Sequence, residues 1–281
     1  MRALRFASVP PSGLDLHTNG NVKTRGRPQN GRHNRMKIGI IGTGMIGATL
    51  AQRLAGAGHD VAIANSRGPE TIEGKALSTG ARAVDAAEVA TGVDALIVSV
   101  PLNRIPDIAS LVRKAPEGAV VVDTSNYYPM RDEAIAELDA GQVESLWVSE
   151  QYGRPVIKAW NAIGAQSFAE RGTPKGTAGR IAIPVAGDDA DAQALAMSLV
   201  EDTGFDAFDA GSLTDSWRQQ PGTPVYCTDL TTEDVPAALA KADRARSPRR
   251  RDLVIEVVTE RAEAEGGVSG DYIVRLNRAI Y

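Results

Sequence analysis

Apolar and polar positions alternate along this chain in two different periods, and the switching between them predicts the architecture. From Lys37 onward, short runs of β-branched and apolar residues trade places with longer amphipathic stretches. Lys37–Gly42 reads as a strand and Met45–Ala57 as a helix closed by Gly58. Asp60–Ala64 follows as a second strand, then a helix opened by Pro69 and closed near Gly80. Ala81–Val84 reads as a short third strand, with Asp85 as the N-cap of another helix. Ala95-Leu96-Ile97-Val98-Ser99-Val100 is almost wholly apolar, as a strand covered on both faces must be, and Pro101 ends it. A helix over Ile105–Lys114 and a strand over Ala119–Asp123 complete the pattern. Strands spaced in this way by helices imply a doubly wound parallel sheet.

Beyond Arg131 the pattern predicts a helix, a strand over Pro155–Trp160, and then strands Ile181–Ala186 and Phe205–Phe208 around a helix Asp189–Thr203. That is a second, smaller α/β unit. A further helix starts at Ser212–Trp217, a loop with two prolines runs to Tyr226, and the tail from Asp234 is charged and mainly helical. The expected division is a basic extension over 1–35, a nucleotide-binding Rossmann domain over 36–164, a small α/β unit over 165–233 and a helical tail over 234–281.

Gly42-Thr43-Gly44-Met45-Ile46-Gly47 carries the chemistry of the first strand–helix junction. A Gly-x-Gly-x-x-Gly between a strand and a helix turns the chain tightly at its first glycine. The second glycine opens the backbone to a pyrophosphate, and the third lets the helix lie close on the sheet. The free amides at the helix start, near Met45 and Ile46, add the positive end of the dipole. At the end of the second strand stand Asn65, Ser66 and Arg67, with no acid before Glu70. An acid there would hold the 2′-hydroxyl of NAD. An amide, a hydroxyl and a guanidinium instead accommodate the 2′-phosphate of NADP, so NADP(H) is the expected cofactor.

Composition narrows the partners. An apolar fraction of 43% is ample for a core, and the net charge of -4 gives no reason to expect nucleic acid or an acidic membrane. Residues 1–35 hold seven of the 31 Lys/Arg but one of the 35 Asp/Glu, with no apolar period. They read as a disordered extension ahead of Met36, with a transit peptide as the lesser alternative. The single cysteine, Cys227, fits a reducing cytoplasm, and no apolar stretch is long enough to span a bilayer.

Candidate site residues gather at predicted strand ends. Ser99, Val100 and Pro101 close the fourth strand, where ligands bind in open α/β sheets. Asp123, Thr124, Ser125 and Asn126 close the fifth, with Asn126 placed beside the cofactor. Lys158 interrupts an apolar strand and Asn161 follows three residues later. As a pair they suit a proton donor and a carbonyl orienter, yet a regular strand puts them on opposite faces. Lys158 reads more readily as a snorkelling or ion-paired structural residue, which leaves Asn161 the better site candidate. Trp217 and Tyr226 flank the proline loop as packing residues or as walls for an aromatic acceptor. The histidines, His17, His33 and His59, suggest neither a general acid nor a metal site.

Taken together, Ile40–Gly47, Asn65-Ser66-Arg67, Ser99-Val100-Pro101, Val185-Ala186-Gly187-Asp188-Asp189 and Asp209-Ala210-Gly211 resemble the coenzyme F420-dependent NADP oxidoreductases. The resemblance spans roughly Lys37 to Tyr226. It implies a Rossmann domain with a small C-terminal α/β unit, a homodimer, and hydride transfer between NADP(H) and a deazaflavin or flavin stacked on the nicotinamide. Such transfer needs close placement more than an acid–base residue. The tail after Tyr226 and the segment Thr214–Pro224 depart from the family pattern on the acceptor side. Two other readings stand beside it: a reductase of small imines or carbonyls, and an NADP-binding sensor without turnover.

Overall fold

The computed structural model describes residues 35–281, so the expectations for the basic extension lie outside the described residues. Six parallel strands form the main sheet in the order β3-β2-β1-β4-β5-β6. They are β1 (Lys37–Ile41), β2 (Asp60–Ala64), β3 (Arg82–Ala83), β4 (Ala95–Val98), β5 (Val120–Asp123) and β6 (Ile157–Lys158). Ile40 of β1 lies between Ile63 of β2 and Ile97 of β4, so these three share one apolar face of the sheet. Side chains alternate between two cores, as a period of two requires. Ile38, Ile40 and Ile97 pack into one, and Ile41, Leu96 and Val98 into the other.

Helices cover both faces. The crossovers are α1 (Met45–Gly56), α2 (Gly74–Leu77) and α3 (Ile105–Val112). After β5 come three more: α4 (Pro129–Asp132), α5 (Ala136–Asp139) and α6 (Glu144–Tyr152). Then α7 (Ala165–Glu170) leads into a second parallel pair, β7 (Ala182–Val185) and β8 (Asp206–Asp209), joined through α8 (Ala190–Asp202). Asp189 caps α8 by accepting from the Ala192 amide at 2.8 Å. An antiparallel bridge, Lys158 to Ala186, links the two sheets. The Arg53 guanidinium of α1 ties them further, donating to the carbonyls of Phe168, Ala169 and Thr203.

The tail is helical: α9 (Val235–Ala240), α10 (Ser247–Glu265) and α11 (Gly270–Ile280). It returns to the body of the fold. Asn277 donates to the Cys227 carbonyl at 3.3 Å, and Arg278 donates to the carbonyls of Thr228 and Asp229.

Three local expectations need correction. Residues 85–93 form successive turns, not a helix. The link from β3 to β4 is too short for a helix with its two connections. Gly39 lets that link lie directly on β1, since a Cβ there would meet the Val89 carbonyl oxygen at 2.0 Å. The strand expected over 155–160 keeps only Ile157 and Lys158. Pro155 has no amide to pair, and Trp160 adopts a left-handed φ of 56°. The helix opened by Pro69 is a 3-10 turn, Pro69–Thr71, followed by the single turn of α2.

Candidate active site

The β1–α1 turn follows from its glycines. Gly42 has φ +108°, and a Cβ on it would lie 2.0 Å from the Ser99 carbonyl oxygen. A Cβ on Gly47 would lie 2.1 Å from the Gly42 carbonyl oxygen. Both glycines are therefore required by the protein itself. Gly44 is different: its φ of -65° suits any residue, and a Cβ there meets nothing within 4 Å. The space over Gly44 opens outward at the first turn of α1. That turn has no side-chain cap and no acidic residue, and Met45 is 75% exposed. Free amides, the helix dipole and an open backbone together fit a pyrophosphate.

Asn65 organises the next loop. Its amide donates to Thr71 at 2.9 Å and to Thr43 at 3.3 Å, and its carbonyl accepts from the Arg67 backbone amide at 2.8 Å. This is an Asx turn, and it leaves Ser66 and Arg67 exposed. Among the described residues, the Arg67 guanidinium has no carboxylate partner. Ser99 donates its amide to the Ile41 carbonyl beside Gly42, followed by half-buried Val100 and exposed Pro101. The glycine turn and the end of β4 thus meet at the carboxyl edge, where the strand order reverses between β1 and β4.

The ends of β5 and β6 carry a denser polar network. Lys158 and Asp123 are both fully buried and pair at 2.6 Å, and the ammonium also donates to the Ser125 carbonyl. Asp123 in turn accepts from the Ser125 amide at 3.1 Å. Trp160, bulky yet left-handed, ends the strand and turns Asn161 back toward Asn126. Asn161 donates to the Asn126 side-chain oxygen at 3.1 Å and to the Gln219 carbonyl at 2.9 Å, and accepts from the Gln219 amide at 2.8 Å. Asn126 donates to the Asn161 carbonyl at 2.9 Å and to the Tyr226 hydroxyl at 3.4 Å. Lys158 and Asn161 therefore serve separate partners, although they are close in sequence.

Residues that sequence reading had not brought together complete the site. The Tyr128 and Tyr226 hydroxyls lie 2.6 Å apart. Arg131 grips buried Asp132 at 2.8 and 2.7 Å, donates to the Asn126 carbonyl at 2.8 Å, and sets its guanidinium carbon 5.2 Å from the centre of the Tyr128 ring. Burial pushes both tyrosines well above the ordinary phenol range, so both are neutral hydrogen donors. The polar aromatic pair Tyr127-Tyr128, directly after Asn126, was the available signal.

Glu144, at the start of α6, is buried against the Lys158 side of this network. Burial lifts its carboxyl from 4.5 to about 7, against the pull of Lys158 and Arg251. Its folded pKa lies above its unfolded one. Its contribution to stability is thus fully present below about 4.5 and declines as pH rises toward 7. Glu144→Gln is expected to flatten this fall; thermal midpoints across that range check it. A cleft of about 940 Å³ opens at the amino ends of β5 and β6, lined by Ala119, Val121, Ile157 and Leu195, away from the glycine turn.

A doubly wound sheet with a glycine turn on its carboxyl edge defines a Rossmann-class dinucleotide-binding fold. Residues 37–127, from β1 to just past the end of β5, match the model of the family described as "NADP oxidoreductase coenzyme F420-dependent". The Escherichia coli (strain K12) protein YjhV is 47% identical over 79 residues, which cover 27% of this chain and 58% of YjhV. The chain thus spans little more than half of that curated relative. The crystal structure of the hypothetical protein SMa0349 from Sinorhizobium meliloti is 31% identical, with a TM-score of 0.61 over 70% of this chain and 96% of that one. A structure from Arthrobacter sp. FB24, described as an F420-dependent NADP reductase, is 24% identical, with a TM-score of 0.54 over 64% of this chain and 87% of its own, and supports the fold. Family and fold bear out the resemblance read from the motifs.

Proposed function

We propose that this protein is an NADPH-dependent reductase that delivers hydride to a flat conjugated acceptor of the deazaflavin or flavin type. The observation that carries the reading is the open Gly44 backbone, on the carboxyl edge, at an uncapped helix start. In this reading the amides of Gly42 to Gly47 receive the pyrophosphate, and Ser66 and Arg67 receive the 2′-phosphate. Asn65 shapes the loop that presents them. Ser99, Val100, Pro101 and Asn126 follow the cofactor toward its nicotinamide end. When bound, NADPH supplies the hydride.

The chain's own residues are arranged to position, not to shuttle protons. Lys158 holds Asp123 and Ser125, and Asn161 holds Asn126 and Gln219. Both act here as braces under the acceptor. The wider organisation belongs to the same proposal: residues 36–164 take the cofactor, 165–233 supply Gln219 and Tyr226 on the acceptor side, and 234–281 hold that side in place. We place the protein in the cytoplasm as a homodimer, on the family resemblance and its single, buried cysteine.

Following absorbance at the nicotinamide band, with deazaflavin, flavin, imine and carbonyl acceptors in turn, tests the reading. Oxidation of NADPH with a deazaflavin or flavin is expected. Turnover with imines or carbonyls alone would replace it, and binding of NADPH without turnover on any acceptor would make the protein a sensor.

A further inference from the structure

Hydrogen-bond bookkeeping around Tyr128 and Tyr226 leaves one donor over. The two hydroxyls carry two protons, and their 2.6 Å contact uses one. Asn126 already donates to the Tyr226 oxygen, so that oxygen needs no further donor. Tyr226 then donates to Tyr128, and the Tyr128 proton is the one left without an acceptor among the described hydrogen bonds. Asn126 and Asn161, beside the pair, follow the carboxyl ends of β5 and β6, on the edge where open α/β sheets bind ligands.

The surroundings hold this pair with unusual firmness. Cys227 and Asp229, just after Tyr226, have left-handed φ values of 51° and 50°. Such a backbone persists only where its neighbours over-determine it. Here Ala162 accepts from the Cys227 amide, Ser167 donates to the Asp229 carboxylate at 2.7 Å, and Arg278 of α11 grips the carbonyls of Thr228 and Asp229. On the other side Arg131 fixes Asn126 and lies over the Tyr128 ring, with Met130 beside it 69% exposed.

We infer that the paired hydroxyls of Tyr128 and Tyr226, with Arg131 against Tyr128, are the donor that stabilises negative charge gathering on a conjugated oxygen of the acceptor. The inference deepens the hydride-transfer reading and rests on it. When hydride and its electron pair form a new bond at the acceptor ring, the nicotinamide is oxidised to a pyridinium. The displaced π pair moves onto the conjugated carbonyl oxygen. That oxygen accepts the spare tyrosyl hydrogen bond, and water supplies the proton that finally neutralises it. A fixed donor aimed at developing charge needs no reorganisation as the charge appears.

The test uses the full chain, NADPH and two probe acceptors. Riboflavin develops anionic character on a ring carbonyl as it is reduced. N-methylphenazinium has no carbonyl and becomes neutral on taking hydride. Tyr226→Phe and Tyr128→Phe are each expected to lower kcat with riboflavin about tenfold further than kcat with N-methylphenazinium. The NADPH dissociation constant, measured on the same samples, reports that the variants are folded. An equal loss with both probes, or no loss with either, overturns the inference and leaves hydride transfer standing. A wild-type protein that holds NADPH but reduces neither probe overturns the hydride-transfer reading and this inference with it.

Discussion

Gly44→Val is expected to fold as the wild type does and to hold NADPH about a hundredfold more weakly, a loss of about 2.8 kcal/mol. The backbone at Gly44 is within reach of any residue, and a Cβ meets no protein atom within 4 Å, so the fold does not oppose the change. What the branched side chain fills is the approach over the first turn of α1. Gly42→Ala makes the contrast: its Cβ would press into the Ser99 carbonyl at 2.0 Å and break the turn itself. Thermal midpoints and fluorescence titrations of the two variants separate these cases. A Gly44→Val protein that binds NADPH normally would place the pyrophosphate elsewhere.

The second large effect lies under the acceptor side. Lys158→Ala is expected to cost about 3–5 kcal/mol of stability, because it strands the fully buried carboxylate of Asp123 without its counter-charge. Replacing both partners with apolar residues of similar volume, as in Asp123→Leu with Lys158→Met, should recover most of that loss. Denaturant unfolding of the single and double variants measures it. If Lys158→Ala is as stable as the wild type but loses turnover while keeping NADPH, Lys158 is a proton donor, and reduction of an imine or carbonyl becomes the better reading.

The same residues mark where sequence stops being informative. The sheet was legible because its signals are local: apolar runs such as Ala95–Val98, helices between them, and a glycine turn whose spacing has one common use. The role of Asn65 was half legible. Its position pointed to the ribose end, but the bonds to Thr43 and Thr71 that make it a loop organiser depend on folding. Lys158 and Asn161 looked like a pair because they are three residues apart. Their true partners are distant: Asp123 lies 35 positions from Lys158, and Gln219 lies 58 from Asn161. The left-handed turn at Trp160 that separates them is imposed by packing, against the preference of a bulky residue. Tyr128 and Tyr226, 98 positions apart, had no sequence signal linking them.

In the proposed function the β1–α1 turn and the Asn65–Arg67 loop together select NADPH. Titrating NADPH and NADH separately into the wild type and Arg67→Ala tests it most directly. NADPH is expected to bind the wild type at least about tenfold more tightly than NADH, a difference of about 1.4 kcal/mol, and most of this preference is expected to disappear in Arg67→Ala. Equal or tighter binding of NADH by the wild type would contradict it.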